Sequence, residues 1–459
     1  MDVSDASLRE SRVGVSRWMR GLASRHDVSA LVHGAVLVFA IRLAGAALAY
    51  ISAILLARWL GAVQFGIYAY IWVWIVILSA PLSLGYVSSV LRFVPGYLAL
   101  GEWPRLRGFL KQSFAVVAVI SSGGAAIGAG LLLWVFTDAT PSYYFKPALI
   151  GLACLPLAAM LNQLEATARA FGWIRLAYLP GYVARPILLT VVIGTLVALA
   201  TAPTAVDALW AIFAACIIAG IFQGVGLALG IRRQVKQAEA AYHTVQWARV
   251  SAAFVMVDGF RMLLENADVL LIGHLLDPGS VAIYFAAMKT AGLIAFIYFA
   301  VVALAAPEFS RIHITGTPRE MQRFVSGVTH LMFWPSLFSA IVLGCLGPFV
   351  LPLFGAGFVS GYAALLAALI GLVVRASIGP VEYLLNMTGH QRDTVRVYSV
   401  AAAANIALNI LLIPRLGIVG AAIATYAAII GGNIWLYALA RHRLGINAFL
   451  FPISRERIS

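Results

Sequence analysis

Twelve long apolar runs dominate the chain, roughly 32–57, 67–91, 110–136, 146–167, 178–200, 206–231, 250–276, 281–306, 324–346, 359–384, 395–414 and 417–440. About 20 apolar residues in a helix cross a bilayer core, so each run predicts one spanning helix. A β-barrel would show segments of about ten residues with strict alternation. These runs are continuous and about twice that length. The pattern therefore predicts an all-α polytopic membrane protein with about twelve transmembrane helices. The connections are short. The longest, 92–109 and 232–249, leave no room for a soluble domain.

The two halves echo each other. LLARWLGAVQFGIYA (55–69) and LIGHLLDPGSVAIYF (271–285) align Leu60 with Leu276 and Tyr68 with Tyr284, an offset of 216 residues. EATARAFGWIR (165–175) and NMTGHQRDTVR (386–396) align Thr167 with Thr388 and Arg175 with Arg396, an offset of 221. Six spans per repeat give both halves the same topology, related by an axis along the membrane normal, with a site at their interface. The expected organisation is a cytoplasmic segment 1–31, a six-helix bundle 32–231, a linker 232–249, a second bundle 250–440 and a tail 441–459. A chance match of apolar letters competes with the repeat, but the shared turns and polar positions weigh against it.

Composition excludes a soluble enzyme. Of 459 residues 62% are hydrophobic and 11% charged, with mean hydropathy +0.93. That is too few polar residues to cover a water-facing surface. The net charge of +14 would suggest nucleic acid in a soluble protein, but here it divides by side of the membrane. The N-terminus, the even-numbered loops and the tail hold 24 of the 32 Lys and Arg, the odd-numbered loops hold 3, and 5 lie within spans. This bias predicts both termini in the cytoplasm and no nucleic-acid partner. Val15, Trp18, Met19 and Leu22 share one helical face among arginines, which predicts an interfacial helix over 7–22 lying on anionic lipid. A disordered basic tail is the competing account. The N-terminus lacks the pattern of a cleaved signal peptide. Cys154, Cys216 and Cys345 lie in apolar runs at no ligand spacing and read as small buried hydrophobes rather than a disulfide or zinc site. No phosphate-binding loop of an ATPase occurs, and no resident cofactor is expected.

Ionisable groups inside a span cost about 2.5–3.5 kcal/mol each on insertion scales, so they face a cavity or a partner. The seventh run is richest: Asp258, Arg261, Glu265 and Asp268 are spaced 3, 4 and 3, which predicts one helical stripe. Arg42, Arg185, Lys289 and Arg375 add cations from the first, fifth, eighth and tenth runs. A cationic cavity lined by Arg42, Arg185, Arg261, Lys289 and Arg375 would suit an anionic passenger such as a pyrophosphate or acidic sugar. Asp258, Glu265 and Asp268 would bind H⁺ or Na⁺ as the driving ion. Against this stand pairing of Arg261 with its neighbouring acids and snorkelling of the other cations. Pro81 with Gly85, Pro186, Pro307, Pro335, Gly347-Pro348 and Pro380 interrupt spans, as the rocking of two bundles requires, although such bends are also common in static membrane proteins. No histidine spacing suggests a metal.

LLARWLGAVQFGIYAY, ALAAPEFSRI (303–312), LLNMTGHQRDTVRV (384–397) and LNILLIPRLGIVGAAIATYAA (408–428) resemble the bacterial polysaccharide flippases. These are the Wzx-like members of the multidrug/oligosaccharidyl-lipid/polysaccharide exporter superfamily. The resemblance runs from about residue 30 to 445. It implies two pseudo-symmetric six-helix bundles around a central cavity and alternating access. It also implies movement of an undecaprenyl-diphosphate-linked oligosaccharide across the bacterial inner membrane for surface or exopolysaccharide (O-antigen) synthesis. A polymerase and glycosyltransferases would work beside it. Cations line the cavity in such flippases, and Asp268 matches an acid often found at its place. Arg58 matches a motif at a span end, where a role in the turn is expected. The span count departs from the lipid II flippases, which have two more.

The leading expectation is thus a lipid-linked oligosaccharide flippase and not an enzyme. The alternative is an H⁺- or Na⁺-coupled small-molecule or drug antiporter of the same fold, whose cavity should be net acidic for cationic drugs. A glycosyltransferase or polymerase would need a large external acidic loop, and the odd loops offer only Asp138, Asp207 and Asp277.

Overall fold

A computed structural model describes residues 25–135 and 142–450. The interfacial helix expected over 7–22 lies outside these residues. Among the described residues the structure is helical and contains no strand. The helices are α1 (Arg25–Leu82), α2 (Tyr86–Leu100), α3 (Trp103–Val135), α4 (Phe145–Ala170), α5 (Ile174–Leu179), α6 (Arg185–Ala198), α7 (Ala205–Gln234), α8 (Thr244–Leu275), α9 (Pro278–Ala291), α10 (Ala295–Thr315), α11 (Pro318–Val350), α12 (Tyr362–Ile378), α13 (Val381–Met387) and α14 (Gln391–Leu444).

Among the described residues eight helices are long and apolar enough to cross a membrane, or nine if α9 and α10 form one bent span. Two features explain most of the distance from twelve predicted runs. First, α1 and α14 each hold two runs with no loop between them. Gly61 (φ 76°) and Gly417 (φ 58°) leave the helix, and the helix resumes beyond them. A side chain with Cβ is strained at such φ, so glycine makes these breaks possible. Second, α8 carries the predicted charged stripe and is too polar to be counted with the others.

The ends follow local rules. Thr204 and Asp207 form a capping box at the start of α7, and Thr317 and Glu320 form one at the start of α11. Pro278 and Pro318 occupy first-turn positions, where a missing N–H costs nothing. The run predicted over 67–91 breaks where Pro81 and Gly85 foretold, at Leu84 (φ 46°) and Gly85 (φ 71°) between α1 and α2. Pro335 instead sits inside α11 without ending it.

Helices α1–α7 pack largely on one another, as do α8–α14, and the two sets meet along α1 and α2. Ala69, Val73 and Ile77 of α1 share a buried cluster with Val269, Ile272, Val281 and Tyr284 of α8 and α9. Glycine permits the closest approaches. A Cβ on Gly66 would lie 1.7 Å from the Pro278 carbonyl oxygen, and one on Gly85 would lie 2.1 Å from that of Ser251. Near Gly66, the Ala205 N–H donates to Gln64 Oε1 at 2.9 Å and Arg58 Nε donates to the Leu353 carbonyl at 2.6 Å. Arg58 thus ties two connections together, in keeping with the structural role expected of it.

The outer surface is apolar, with Trp134, Phe338 and Phe349 more than two-thirds exposed. Only lipid makes such a surface stable, and the chain is a multi-pass membrane protein. Cys154 and Cys216 are buried, but Cys345 is exposed on α11. An apolar run shows where the membrane is, not which face points inward, so sequence alone misplaced that thiol.

Candidate substrate cavity and ion site

Arg42 projects from α1 toward a short π-helical turn, Pro180–Ala184, between α5 and α6. Gly45 lets α1 close on that turn, since its Cβ would stand 2.7 Å from Tyr182 Cβ. The Arg42 guanidinium carbon lies 5.1 Å from the Tyr178 ring centre and 5.6 Å from that of Tyr182. Its Nε is buried and makes no hydrogen bond with the protein. Arg185, which opens α6 directly after the π turn, rests over Trp72 at 5.0 Å. Cation–π contacts hold a charge in place and leave its N–H groups free.

Lys289 of α9 rests on Phe285 with its ammonium 5.0 Å from the ring centre, and it is exposed. It feels the like charge of Arg185 from the other helix set. Beside it the Tyr50 and Thr290 hydroxyls pair at 2.8 Å, joining α1 to α9. Lys289 thus stands on the second set's side of that meeting, next to α1.

Arg375 of α12 lies over Tyr298 at 4.7 Å, and its Nε likewise makes no hydrogen bond with the protein. Arg261 differs. It pairs with Glu265 at 3.3 Å, one turn along α8, and also senses Asp258 and Glu382. The competing account of Arg261 as an internally paired residue is the one the geometry matches. Asp258 accepts a 2.7 Å hydrogen bond from Ser88 of α2.

The predicted stripe divides. Asp268 is 4% exposed and sealed inside the second helix set. At about 100° per residue, position 268 is about 80° around the helix from position 258. It is only about 20° from Arg261 but about 10 Å further along the helix, where α9 and α14 cover that face. There it accepts from the Tyr284 hydroxyl at 2.5 Å, the Val269 N–H at 2.8 Å and the Thr425 hydroxyl at 3.1 Å. Asn405 donates to Thr425 Oγ1 at 3.2 Å, and Asn409 donates to Asn405 Oδ1 at 2.9 Å. The Asn409 Oδ1 is buried with no hydrogen-bond partner. This group of carboxylate, hydroxyl and amide oxygens is the kind of donor set a hard cation takes. Among the described residues no three of His, Cys, Asp and Glu converge as for a transition metal.

Two acids escaped the sequence reading. Glu165 of α4 stands 3.9 Å from Arg169. Glu382 of α13 exerts its charge on Arg375 and Tyr398. Both fall in the last turn of their predicted runs, where an acid reads as a loop flank. The Glu165–Arg169 spacing of four was the available signal. With these included, the first set presents Arg42, Arg169 and Arg185 against one acid. The second presents Arg261 and Arg375 against Asp258, Glu265 and Glu382, with Lys289 next to α1.

The all-helical fold in two helix sets matches the fold of solved transporters of the multidrug/oligosaccharidyl-lipid/polysaccharide exporter superfamily. The chain is similar in structure to an inward-facing multidrug resistance MATE family transporter of that superfamily, with TM-score 0.69 and 14% identity, covering 89% of this chain and 94% of that one. It is similar to the lipid II flippase MurJ in an inward closed conformation, with TM-score 0.66 and 14% identity over 88% and 87% of the two chains. In sequence it is 26% identical over 226 residues to "Probable flippase AglR" of Haloferax volcanii, a stretch that is 48% of this chain and 45% of that protein. The alignment thus spans less than half the length of that curated relative. No family model matches the chain.

Proposed function

We propose that the protein is a flippase for a lipid-linked oligosaccharide whose passenger carries a diphosphate. It works in the bacterial inner membrane with both termini in the cytoplasm, by alternating access between two six-helix bundles, for surface or exopolysaccharide synthesis. One observation carries the reading. Arg42, Arg185 and Lys289 sit on aromatic rings, outside any carboxylate ion pair within 4 Å among the described residues. Cations seated in this way keep donors for a phosphate, and guanidinium groups bind phosphate with two N–H groups at once. The likeness to a probable flippase over 48% of the chain supports the same reading. Asp268, with Thr425, Asn405 and Asn409, supplies the site for a driving Na⁺ or H⁺. A polymerase and glycosyltransferases would act on the same lipid before and after it moves.

The acids of the second helix set favour a second reading, an ion-coupled antiporter of cationic small molecules. One experiment separates the two. The purified protein is reconstituted in vesicles and assayed for translocation of a fluorescent polyprenyl diphosphate and, separately, of ethidium. Under the flippase reading the diphosphate moves. Arg42→Ala, Arg185→Ala and Lys289→Ala then each cut its rate by roughly tenfold or more, the loss expected for a charge-assisted contact. Arg261→Ala has a smaller effect. Ethidium movement without diphosphate movement replaces this reading with the antiporter.

A further inference from the structure

A groove of about 730 Å³ lies at the meeting of the two helix sets. One wall is α3, through Ala115, Val119 and Ile120, and the other is α8, through Ala248, Ala252 and Met256. Leu84, at the break between α1 and α2, also lines it. Val119 is 67% exposed and Met256 54%, so the groove is continuous with the apolar surface that faces lipid. Alanine in both walls leaves the space that larger side chains would take. From Thr244 to Met256 the α8 wall runs about 18 Å at 1.5 Å per residue. That is close to the roughly 15 Å of hydrocarbon in one leaflet.

One end of the groove is polar. The Gln112 amide donates to the Tyr86 hydroxyl at 2.8 Å and accepts from the Thr244 hydroxyl at 3.0 Å, which joins α2, α3 and α8 there. Tyr86 is 2% exposed and lines the groove. Accepting from Gln112 leaves the tyrosine's own proton for another acceptor. Lys111 lies four and eight residues before Ala115 and Val119, and Arg249 lies three and seven before Ala252 and Met256. These spacings put each cation on the helical face that forms its wall. Both are exposed, and neither is in a salt bridge among the described residues. Their long stems let both reach the headgroup level.

The apolar walls would accept any acyl chain, but two unpaired cations at one end select a negative headgroup. Basic pockets between helices on the cytoplasmic side are where anionic lipids bind. We propose that the groove holds an acyl chain of one anionic phospholipid, with its phosphate at Lys111 and Arg249 and its ester oxygens at the Tyr86, Gln112 and Thr244 cluster. The two walls belong to different helix sets. The bound lipid therefore braces α3 against α8 and favours the arrangement seen here. This site is separate from Arg42, Arg185 and Lys289 and stands whatever the passenger is.

The test titrates the full-length protein in detergent with phosphatidylglycerol and with phosphatidylcholine of the same chains, and counts bound lipid by native mass spectrometry. The parent should bind one phosphatidylglycerol on the order of tenfold more tightly than phosphatidylcholine, as cations near a headgroup provide. Lys111→Gln with Arg249→Gln should bring the two lipids to equal affinity. Ala252→Phe, and Ala115→Phe from the opposite wall, should each fill the groove and abolish the tight site. Both alanines are exposed, so Tm without added lipid should stay near the parent's. If one phenylalanine variant does not fold, the other and the charge variant still decide. A parent without preference overturns the proposal, as does a preference that survives the charge change or a tight site that survives a folded phenylalanine variant. Displacement of phosphatidylglycerol by an equal concentration of farnesyl diphosphate would give the groove to a prenyl tail instead and equally overturn it.

Discussion

The Tyr284 hydroxyl donates to the Asp268 carboxylate at 2.5 Å, with both side chains buried between α8, α9 and α14. Tyr284 marks the internal repeat in the sequence, and Asp268 is one of the acids expected to bind a driving ion. Their contact puts that acid at the end of a hydrogen-bonded chain running through Thr425 and Asn405 to Asn409.

Asp268→Ala leaves the Tyr284 and Thr425 hydroxyls without their acceptor. Each unsatisfied buried donor costs about 1–3 kcal/mol, so a clear fall in Tm is expected. Asp268→Asn keeps the shape and should fold, but its transport should no longer respond to a Na⁺ or H⁺ gradient across reconstituted vesicles. A gradient response equal to the parent's would remove Asp268 from coupling.

Gly66→Ala should separate α1 from α9. Its Cβ would fall 1.7 Å from the Pro278 carbonyl, and backbone on both sides leaves little room to yield. Overpacking of this kind costs about 1–3 kcal/mol. Gly96, in α2, has no neighbour within 4 Å of a built Cβ, so Gly96→Ala should hold or slightly raise Tm. Equal Tm for the two variants would mean the contact at Gly66 is not tight in solution.

Asp277 caps α9 in a connection outside the membrane-spanning helices. Its side chain accepts from the Ser280 hydroxyl at 2.6 Å and the Ser280 N–H at 3.1 Å. These bonds, the hydroxyl's first, hold its carboxyl below the ordinary aspartate range. A depressed folded value stabilises the protein above the unfolded value of about 3.9 and loses that contribution as pH falls through the folded value. Asp277→Ala should therefore cost about 1 kcal/mol at neutral pH. The gap in Tm between parent and variant should narrow as the pH is lowered toward about 3. A constant gap from neutral to acid would show that the carboxylate's charge plays no part.

The fold was largely legible because apolar run length is a direct physical requirement of the bilayer. The Pro81–Gly85 break was legible because backbone rules act within a few residues, whereas the tie from Arg58 to Leu353, 295 residues away, was not. The site was legible in part. Arg42, Arg185, Lys289 and Arg375 stand out as charges that lipid would reject, but nothing in the spacing tells which ring each one meets. Arg261 could be matched with Glu265 at four residues. Asp268 could not be told from the acids before it, because it shares their stripe and only the packing of distant helices at its height buries it against a tyrosine. Glu165 and Glu382 were hidden by position, since an acid at the last turn of a run is equally at home in a loop.

The second half of α1 and the α2 that follows it touch the other helix set at two levels, through Gly66 on Pro278 and through Gly85 on Ser251. Between those levels the helix is interrupted at Leu84. A rod pinned at two heights and jointed between them can keep one pin while releasing the other. If the two helix sets rock, this segment is the natural fulcrum. The absence of side chains at Gly66 and Gly85 then sets how close the two sets come at each end of the stroke.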